Sequence, residues 1–223
     1  MSGYPVKYWP CPKMWIGSTV VVIGGGPSLQ GMDWNDVRRV GAGARYIACN
    51  DAYQLGWPDM CFFGDAAWYD IHSNLKAFED YPGLKVSAAF ECLGLEGLLT
   101  MERWPLNPAQ PVDSLRTEPY RITWYGNTGT TAIALAAKLG ARKIVLLGFD
   151  MMVNQMGLSN WYNNLKNKPK PSIYTKFLLN TGLLAIGMSR VYPEVEVING
   201  VVGEKSSKLG AFETMGWKEA LRA

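Results

Sequence analysis

Thr19-Val-Val-Val-Ile-Gly-Gly-Gly-Pro-Ser-Leu29 decides the fold. Val20 to Ile23 is an unbroken β-branched run. It is too short for a helix and glycine bounds it at once, so it reads as a buried strand. Gly24, Gly25 and Gly26 allow positive φ and the close approach of another molecule. Pro27 has no N–H and suits the first turn of a helix. Strand, glycine turn and helix start together point backbone N–H groups at an anion, most often a phosphate. The stretch is not a Walker loop, because Gly-Lys-Ser/Thr is missing. It is also an imperfect dinucleotide fingerprint, with Leu29 at the third glycine position. Alone it is equally an ordinary tight βα turn, and two later stretches shift the balance.

The first is Gly126-Asn-Thr-Gly-Thr-Thr-Ala-Ile-Ala-Leu-Ala-Ala-Lys-Leu-Gly140. Ile133, Leu135, Ala136 and Leu139 make an apolar helix face, and Gly140 ends it. Asn127, Thr128 and Thr130 crowd its start, where they can cap the helix or hold a phosphate at its positive end. The second, Lys143-Ile-Val-Leu-Leu-Gly-Phe-Asp150, is a buried strand that runs through Gly148 to an aspartate. Two more strands, Arg45 to Asn50 and Pro58 to Asp65, also end on polar residues. Ligands of open parallel sheets sit beyond the strands' carboxyl ends, which places Asn50, Asp65 and Asp150 there. Each could equally cap the turn that follows.

The rest of the chain fills in around these strands. Helices are predicted over 33–40, with Asp33 as N-cap, over 66–78 carrying His72, over 176–192 and over 216–221. A strand is predicted over 84–90, and the last strand over 194–199. Pro105, Pro108, Pro111 and Pro119 make 104–120 a loop or insertion. The basic, aromatic, proline-broken run from Asn160 to Tyr174 is either a solvated loop or a lid over an anionic ligand. The expectation is therefore an α/β, Rossmann-like, mostly parallel sheet with helices on both faces. It forms a single nucleotide-binding domain over 1–223, with a lid at 152–176.

Composition sets bounds. The chain has 223 residues, 48% apolar and 18% charged, enough for a sizeable core and against global disorder. A net charge of +3 is too small to imply nucleic acid by itself. Cys11, Cys49, Cys61 and Cys92 form no Cys-x-x-Cys pair, and His72 is the only histidine, so neither a zinc site nor a disulfide framework is indicated. No signal peptide or membrane-spanning run is evident, which makes cytoplasmic location the default, in the host cytoplasm if phage-encoded.

Three blocks then resemble the bacterial lipooligosaccharide sialyltransferases and their relatives, which include motility-accessory proteins, archaeal-type hydroxymethylpterin pyrophosphokinases and phage-encoded proteins. The blocks are Val22 to Leu29, Cys49-Asn50 with Phe63-Gly-Asp65, and Gly126 to Gly129 with Leu147 to Asp150. Asn199 with Ser206 to Phe212 resembles the phage and motility relatives more. The resemblance implies a bound nucleotide, cytidine monophosphate in the sialyltransferases. It puts Gly25, Gly26 and Ser28 by the phosphate or sugar, and Asn50 near the phosphate or transferred group. Thr128 and Gly129 would contact the nucleotide, with Asp150 close to the ribose or base. The sialyltransferases also use a histidine base after the Gly-x-Asp strand, whereas Met151 to Ala223 contains none.

The candidate binding set is thus Gly24, Gly25, Gly26, Pro27, Ser28, Asn50, Asn127, Thr128, Gly129, Thr130 and Gly148. Asp65 and Asp150 are the candidate catalytic groups, and no protein metal site is assigned. The expected activity is a nucleotide-dependent, glycosyltransferase-like transfer from a nucleotide or nucleotide-sugar donor to an unknown acceptor. Two alternatives stand beside it: metal-assisted pyrophosphokinase-like transfer using a divalent cation, and a non-catalytic nucleotide-binding phage accessory or nucleic-acid modification factor. A nucleic-acid partner is permitted but not favoured, a membrane is not expected, and a homo-oligomer is compatible.

Overall fold

A computed structural model describes residues 7–162, 170, 172–203 and 207–222. The chain opens with β1 (Thr19–Ile23), α1 (Trp34–Val40), β2 (Arg45–Cys49) and β3 (Met60–Phe63). Then come α2 (Ala66–His72), α3 (Lys76–Glu79), β4 (Leu84–Ser87) and β5 (Leu99–Thr100). An appended unit holds β6 (Glu102–Pro105), α4 (Pro111–Ser114) and β7 (Arg121–Trp124). The second half returns to the sheet with α5 (Thr128–Lys138), β8 (Lys143–Leu147), α6 (Ser172–Val191), β9 (Glu196–Val201), β10 (Glu213–Gly216) and α7 (Trp217–Arg222).

Eight strands form one sheet in the order β10-β9-β8-β1-β2-β3-β4-β5, and every pairing in it is parallel. The expected Rossmann-like architecture is therefore present. β1 is central because its residues can be buried on both faces. Val20 and Val22 enter one core with Ile47, Ile144, Leu146 and the apolar face of α5. Val21 and Ile23 enter the other with Ala48, Val145 and Leu147, covered by Val37 of α1 and Ala220 of α7. This period of two, buried on both sides, is what reads as an unbroken apolar run. The chain leaves β1 toward β2 on one side and reaches β8 on the other, so the switch in strand order lies at the β1/β8 crevice.

α5 is buried along nearly its whole length, from Thr130 to Lys138, because the sheet lies on one side and α6 on the other. Thr130 Oγ1 and Thr181 Oγ1 are 2.7 Å apart across that helix pair, and Asn180 Nδ2 donates to the Tyr125 carbonyl at 2.7 Å.

Several sequence expectations need correction. Asn50 to Ala52 is not a loop but opens a 3₁₀ turn over Asn50–Leu55, closed by Gly56 at φ +76°. The helix expected over 66–78 breaks after His72, where Ser73 and Asn74 propagate a helix poorly. The expected 104–120 loop contains α4 and sits between two paired strands, β6 and β7. Arg121 Nε bonds Glu102 there at 2.6 Å, and the Arg116 and Arg121 guanidiniums lie 4.7 and 4.5 Å from the Trp104 ring. The strand ending near Asn199 is not the last, because β10 pairs with it at the sheet edge, where exposure removes the apolar signal. The described part of the 152–176 segment is 152–162, 170 and 172–176, and the rest of that expected lid lies outside the described residues.

The packing of β1 against β8 makes a stability test. A Cβ on Gly24 would sit 2.7 Å from the backbone carbonyl of Gly148, which no rotamer change relieves. Gly24→Ala should lower stability by about 1–3 kcal/mol. Gly182→Ala on α6, where nothing lies within 4 Å, should be neutral or stabilising by up to about 1 kcal/mol. Thermal denaturation of the two variants checks the contrast.

Candidate functional site

The carboxyl ends of β1, β2, β3 and β8 open on a cleft of about 420 Å³. Asp65, Asp150, Asn50, Gly24, Gly25, Gly26, Asn127, Thr128, Gly129 and Gly148 all line it. Asp65 and Asp150 thus share one cavity, although Asp150 follows β8 and Asp65 follows β3, on opposite sides of β1. Pro27, Ser28 and Thr130 do not line the cleft. Pro27 is buried in a 3₁₀ turn only three residues long, over Pro27–Leu29, and Thr130 is spent on α6.

The glycine loop is not an empty anion cradle. None of Gly24, Gly25 and Gly26 has a positive φ. Their small size instead admits the chain itself. Gly24 N–H donates to Leu147 O at 2.7 Å and Gly26 N–H to Gly148 O at 2.8 Å. A Cβ on Gly26 would lie 2.6 Å from both Gly148 O and the Asp150 carboxyl carbon. From above, Trp161 donates its amide to Gly25 O at 3.0 Å and its indole N–H to Gly24 O at 3.1 Å. The Tyr162 hydroxyl would lie 2.9 Å from a Cβ on Gly25.

The anion this loop holds is Asp150. Ser28 N–H donates to one carboxylate oxygen at 2.7 Å and Ser28 Oγ to the other at 2.6 Å. Asp150 is only 4% exposed, and burial pushes its pKa up while the two Ser28 bonds pull it back. Its carboxylate thereby fastens the β1 loop to the end of β8.

Among the described residues, buried polar atoms without partners occur in the cleft and, at Tyr53, Tyr125 and Lys143, away from it. Asn50 Oδ1, Asn127 Nδ2 and the Tyr174 hydroxyl are buried atoms with no hydrogen-bond partner. Burial and the Asp150 charge raise the Tyr174 pKa. Asn127 caps α5 by accepting the Thr130 N–H at 2.7 Å. The amides of Thr128 and Gly129 begin the eleven-residue helix, where no intrahelical acceptor exists. Thr128 is 8% exposed and lines the cleft. α6 closes this end: a Cβ on Gly126 would lie 3.0 Å from Asn180 Nδ2 and 3.6 Å from Lys176 Cε. Asn50 and Met151 hold positive φ, 52° and 54°, at the ends of β2 and β8. Asn tolerates that region, whereas Met151 carries strain of about 1–3 kcal/mol.

Other chemistries fit poorly. His72 does not line the cleft. It is buried with Nε2 2.7 Å from Asp51 Oδ1 and Nδ1 2.7 Å from the Trp68 carbonyl oxygen. Cys49 lines the cleft, but burial drives its thiol pKa far up, against thiolate chemistry. Among the described residues no three His, Cys, Asp or Glu side chains gather as a metal-ligating group. Asp65 spends one oxygen capping α2, on Ala67 N–H at 3.1 Å. Sequence reasoning missed the walls Trp68, Trp124, Phe149 and Phe177, and had Tyr174 only as part of the expected lid. The count of nine Trp and eleven Tyr was their one signal.

No protein-family model matches the chain, and no curated protein matches its sequence. Solved structures share its fold. MAf glycosyltransferase from Magnetospirillum magneticum AMB-1 aligns with 96% of this chain at a TM-score of 0.62 and 16% identity. This chain spans only 36% of that protein's length. The sialyltransferase CstII from Campylobacter jejuni, in complex with cytidine-5'-monophosphate, aligns with 93% of this chain and 88% of its own, at a TM-score of 0.55 and 16% identity. A variant of sialyltransferase CST-II in complex with CMP gives 92%, 88%, 0.52 and 17% on the same measures. At these identities the likeness is one of fold.

The Ser28–Asp150 contact has a pH signature. Asp150's folded pKa lies above its unfolded value of about 3.9. Its stabilising contribution is therefore full below that value and is lost as pH rises through the folded pKa. Ser28→Ala removes a donor to the charged form and raises the folded pKa further. The variant should lose about 1–3 kcal/mol at neutral pH and much less in acid. Urea denaturation at the two pH values checks it, and an equal loss at both would refute the assignment.

Proposed function

We propose that the cleft binds a nucleotide with its phosphate at the start of α5, and that the chain is a nucleotide-dependent, glycosyltransferase-like transferase. One observation carries the proposal. Polar atoms of Asn50, Asn127 and Tyr174 are buried without partners around a cavity at the switch point of a parallel sheet. Native proteins seldom leave such atoms unpaired unless a ligand or water completes them. In this arrangement the Thr128 and Gly129 amides, the Thr128 hydroxyl, Asn127 Nδ2 and the Tyr174 hydroxyl face the phosphate oxygens, with Lys176 at the rim. Charge that develops on a leaving phosphate would meet fixed donors in a dry site. Asn50 Oδ1 accepts from a hydroxyl of the donor. Asp150 positions the loop through Ser28, which leaves Asp65 as the carboxylate for the acceptor. Cytidine monophosphate, the ligand of the sialyltransferase structures with this fold, is the first nucleotide to try.

One feature favours a second reading, a nucleotide-binding protein without turnover. Asp65 is partly committed to capping α2, and the chain's only histidine is buried away from the cleft.

Calorimetric titration with cytidine, uridine, adenosine and guanosine phosphates and their nucleotide sugars tests the proposal. At least one should bind and raise Tm by mass action. Thr128→Val and Lys176→Ala should each weaken that ligand about tenfold while leaving the parent nucleoside unaffected. Failure of every nucleotide at millimolar concentration would end the proposal. Binding of a nucleotide sugar with no hydrolysis or transfer would select the second reading.

A further inference from the structure

The β3 side of the cleft is left unused by the phosphate. Trp68 of α2, Trp124 at the end of β7 and Asp65 at the end of β3 line it. Both indoles are braced from behind. Trp68 Nε1 donates to Asp51 Oδ2 at 3.4 Å, and the same carboxylate is 2.7 Å from His72, whose ring stacks on Trp68 at 4.1 Å. Trp124 has the Arg103 guanidinium over its ring at 4.2 Å and crosses Gly64, where no Cβ would fit. Arg103 is in turn fixed by bonds to the Ala88 carbonyl, at 2.8 Å, and to the Gly64 carbonyl. Asp65 lines the cleft with the two indoles and is exposed, with Oδ1 capping α2 and Oδ2 outside that bond.

Rigid aromatic walls with one available carboxylate oxygen suit a ring that is apolar on its C–H face and carries hydroxyls at its edge. The charge around them narrows the choice. Asp65 and Glu91 lie within electrostatic reach of Arg103, and Asp70 and Glu91 within reach of Cys92. Two carboxylates, Asp65 and Glu91, thus face one guanidinium that is already stacked and hydrogen-bonded, and Asp70 adds a third negative charge near Cys92. We infer that this is an acceptor subsite for an uncharged sugar ring, and that Asp65, aided by the exposed Asp70 and Glu91 carboxylates, turns away acidic acceptors. The inference rests on the transferase reading above. In the step it implies, an acceptor hydroxyl oxygen bonds to the donor sugar carbon. The carbon–oxygen bond to phosphate breaks, and its electron pair stays on the phosphate oxygen at the start of α5. The hydroxyl proton passes to Asp65 Oδ2 and then to water. Single-stranded nucleic acid also stacks on tryptophan, but its phosphates would lie against Asp65, Asp70 and Glu91.

The test measures acceptor binding with the nucleotide already bound. Neutral oligosaccharides, sialylated or phosphorylated oligosaccharides and a single-stranded oligonucleotide are titrated against the wild type. The same set is titrated against Asp70→Lys/Glu91→Lys, a surface charge reversal that leaves the cleft walls in place. The wild type should prefer neutral over acidic saccharides by about tenfold, and the double variant should narrow or invert that preference. Asp65→Asn should keep acceptor binding and lose transfer. Equal affinity for acidic saccharides in the wild type, preference for the oligonucleotide, or no saccharide binding by a nucleotide-loaded protein would overturn the inference. Failure to bind nucleotide at all would instead overturn the transferase reading, so the two failures are distinguishable.

Discussion

The contact that the cleft depends on is the meeting of the β1 and β8 ends around the Asp150 carboxylate. Burying an ionised carboxylate is costly unless hydrogen bonds compensate it. Here Ser28 supplies two, one from its amide and one from its hydroxyl. The arrangement works only because Gly24 and Gly26 leave no side chain between the strands. A negative charge therefore already sits where a Gly-rich βα turn would otherwise take a phosphate. The loop is a joint between strands, and on the proposed reading the phosphate is held one element further along.

That element is α5. A helix buried on nearly all sides has only its ends free, and the N-terminal end opens on the cleft. The Asn127 cap satisfies Thr130 but leaves its own Nδ2 without a partner. α6 then brings Tyr174 and Lys176 to the same end, while Asn180 and Thr181 bind α6 to Tyr125 and α5. The same packing that fixes the helix pair thus also gathers the unpaired donors.

Most of the sheet was legible in the sequence. β1, β2, β3 and β8 are interior strands, and burial on both faces leaves apolar runs, of which those of β2, β3 and β8 lead to Asn50, Asp65 and Asp150. β6, β7 and β10 were not legible. Glu102-Arg-Trp-Pro105 and Glu213-Thr-Met-Gly216 are partly exposed, and tertiary pairing rather than periodicity makes them strands. The glycine loop was legible only as a close approach, for a physical reason. Three consecutive glycines show that something comes close, but not whether it is a ligand or the chain's own Gly148, Asp150 and Trp161. Placing the helix start at Lys176 also split Tyr174 from Lys176, whereas α6 begins at Ser172 and carries both.

The strand order gives the cleft two unlike sides. On the β8 side stand Asp150, the start of α5 and the first turns of α6, rich in donors that favour anionic oxygen. On the β3 side stand Asp65, Trp68 and Trp124, with aromatic surface and carboxylates that disfavour it. β1 runs between them and ends in a loop whose N–H groups at Gly24, Gly26 and Ser28 are already satisfied internally. On the proposed reading, phosphate and acceptor therefore lie on opposite sides of β1, each against its own half of the sheet.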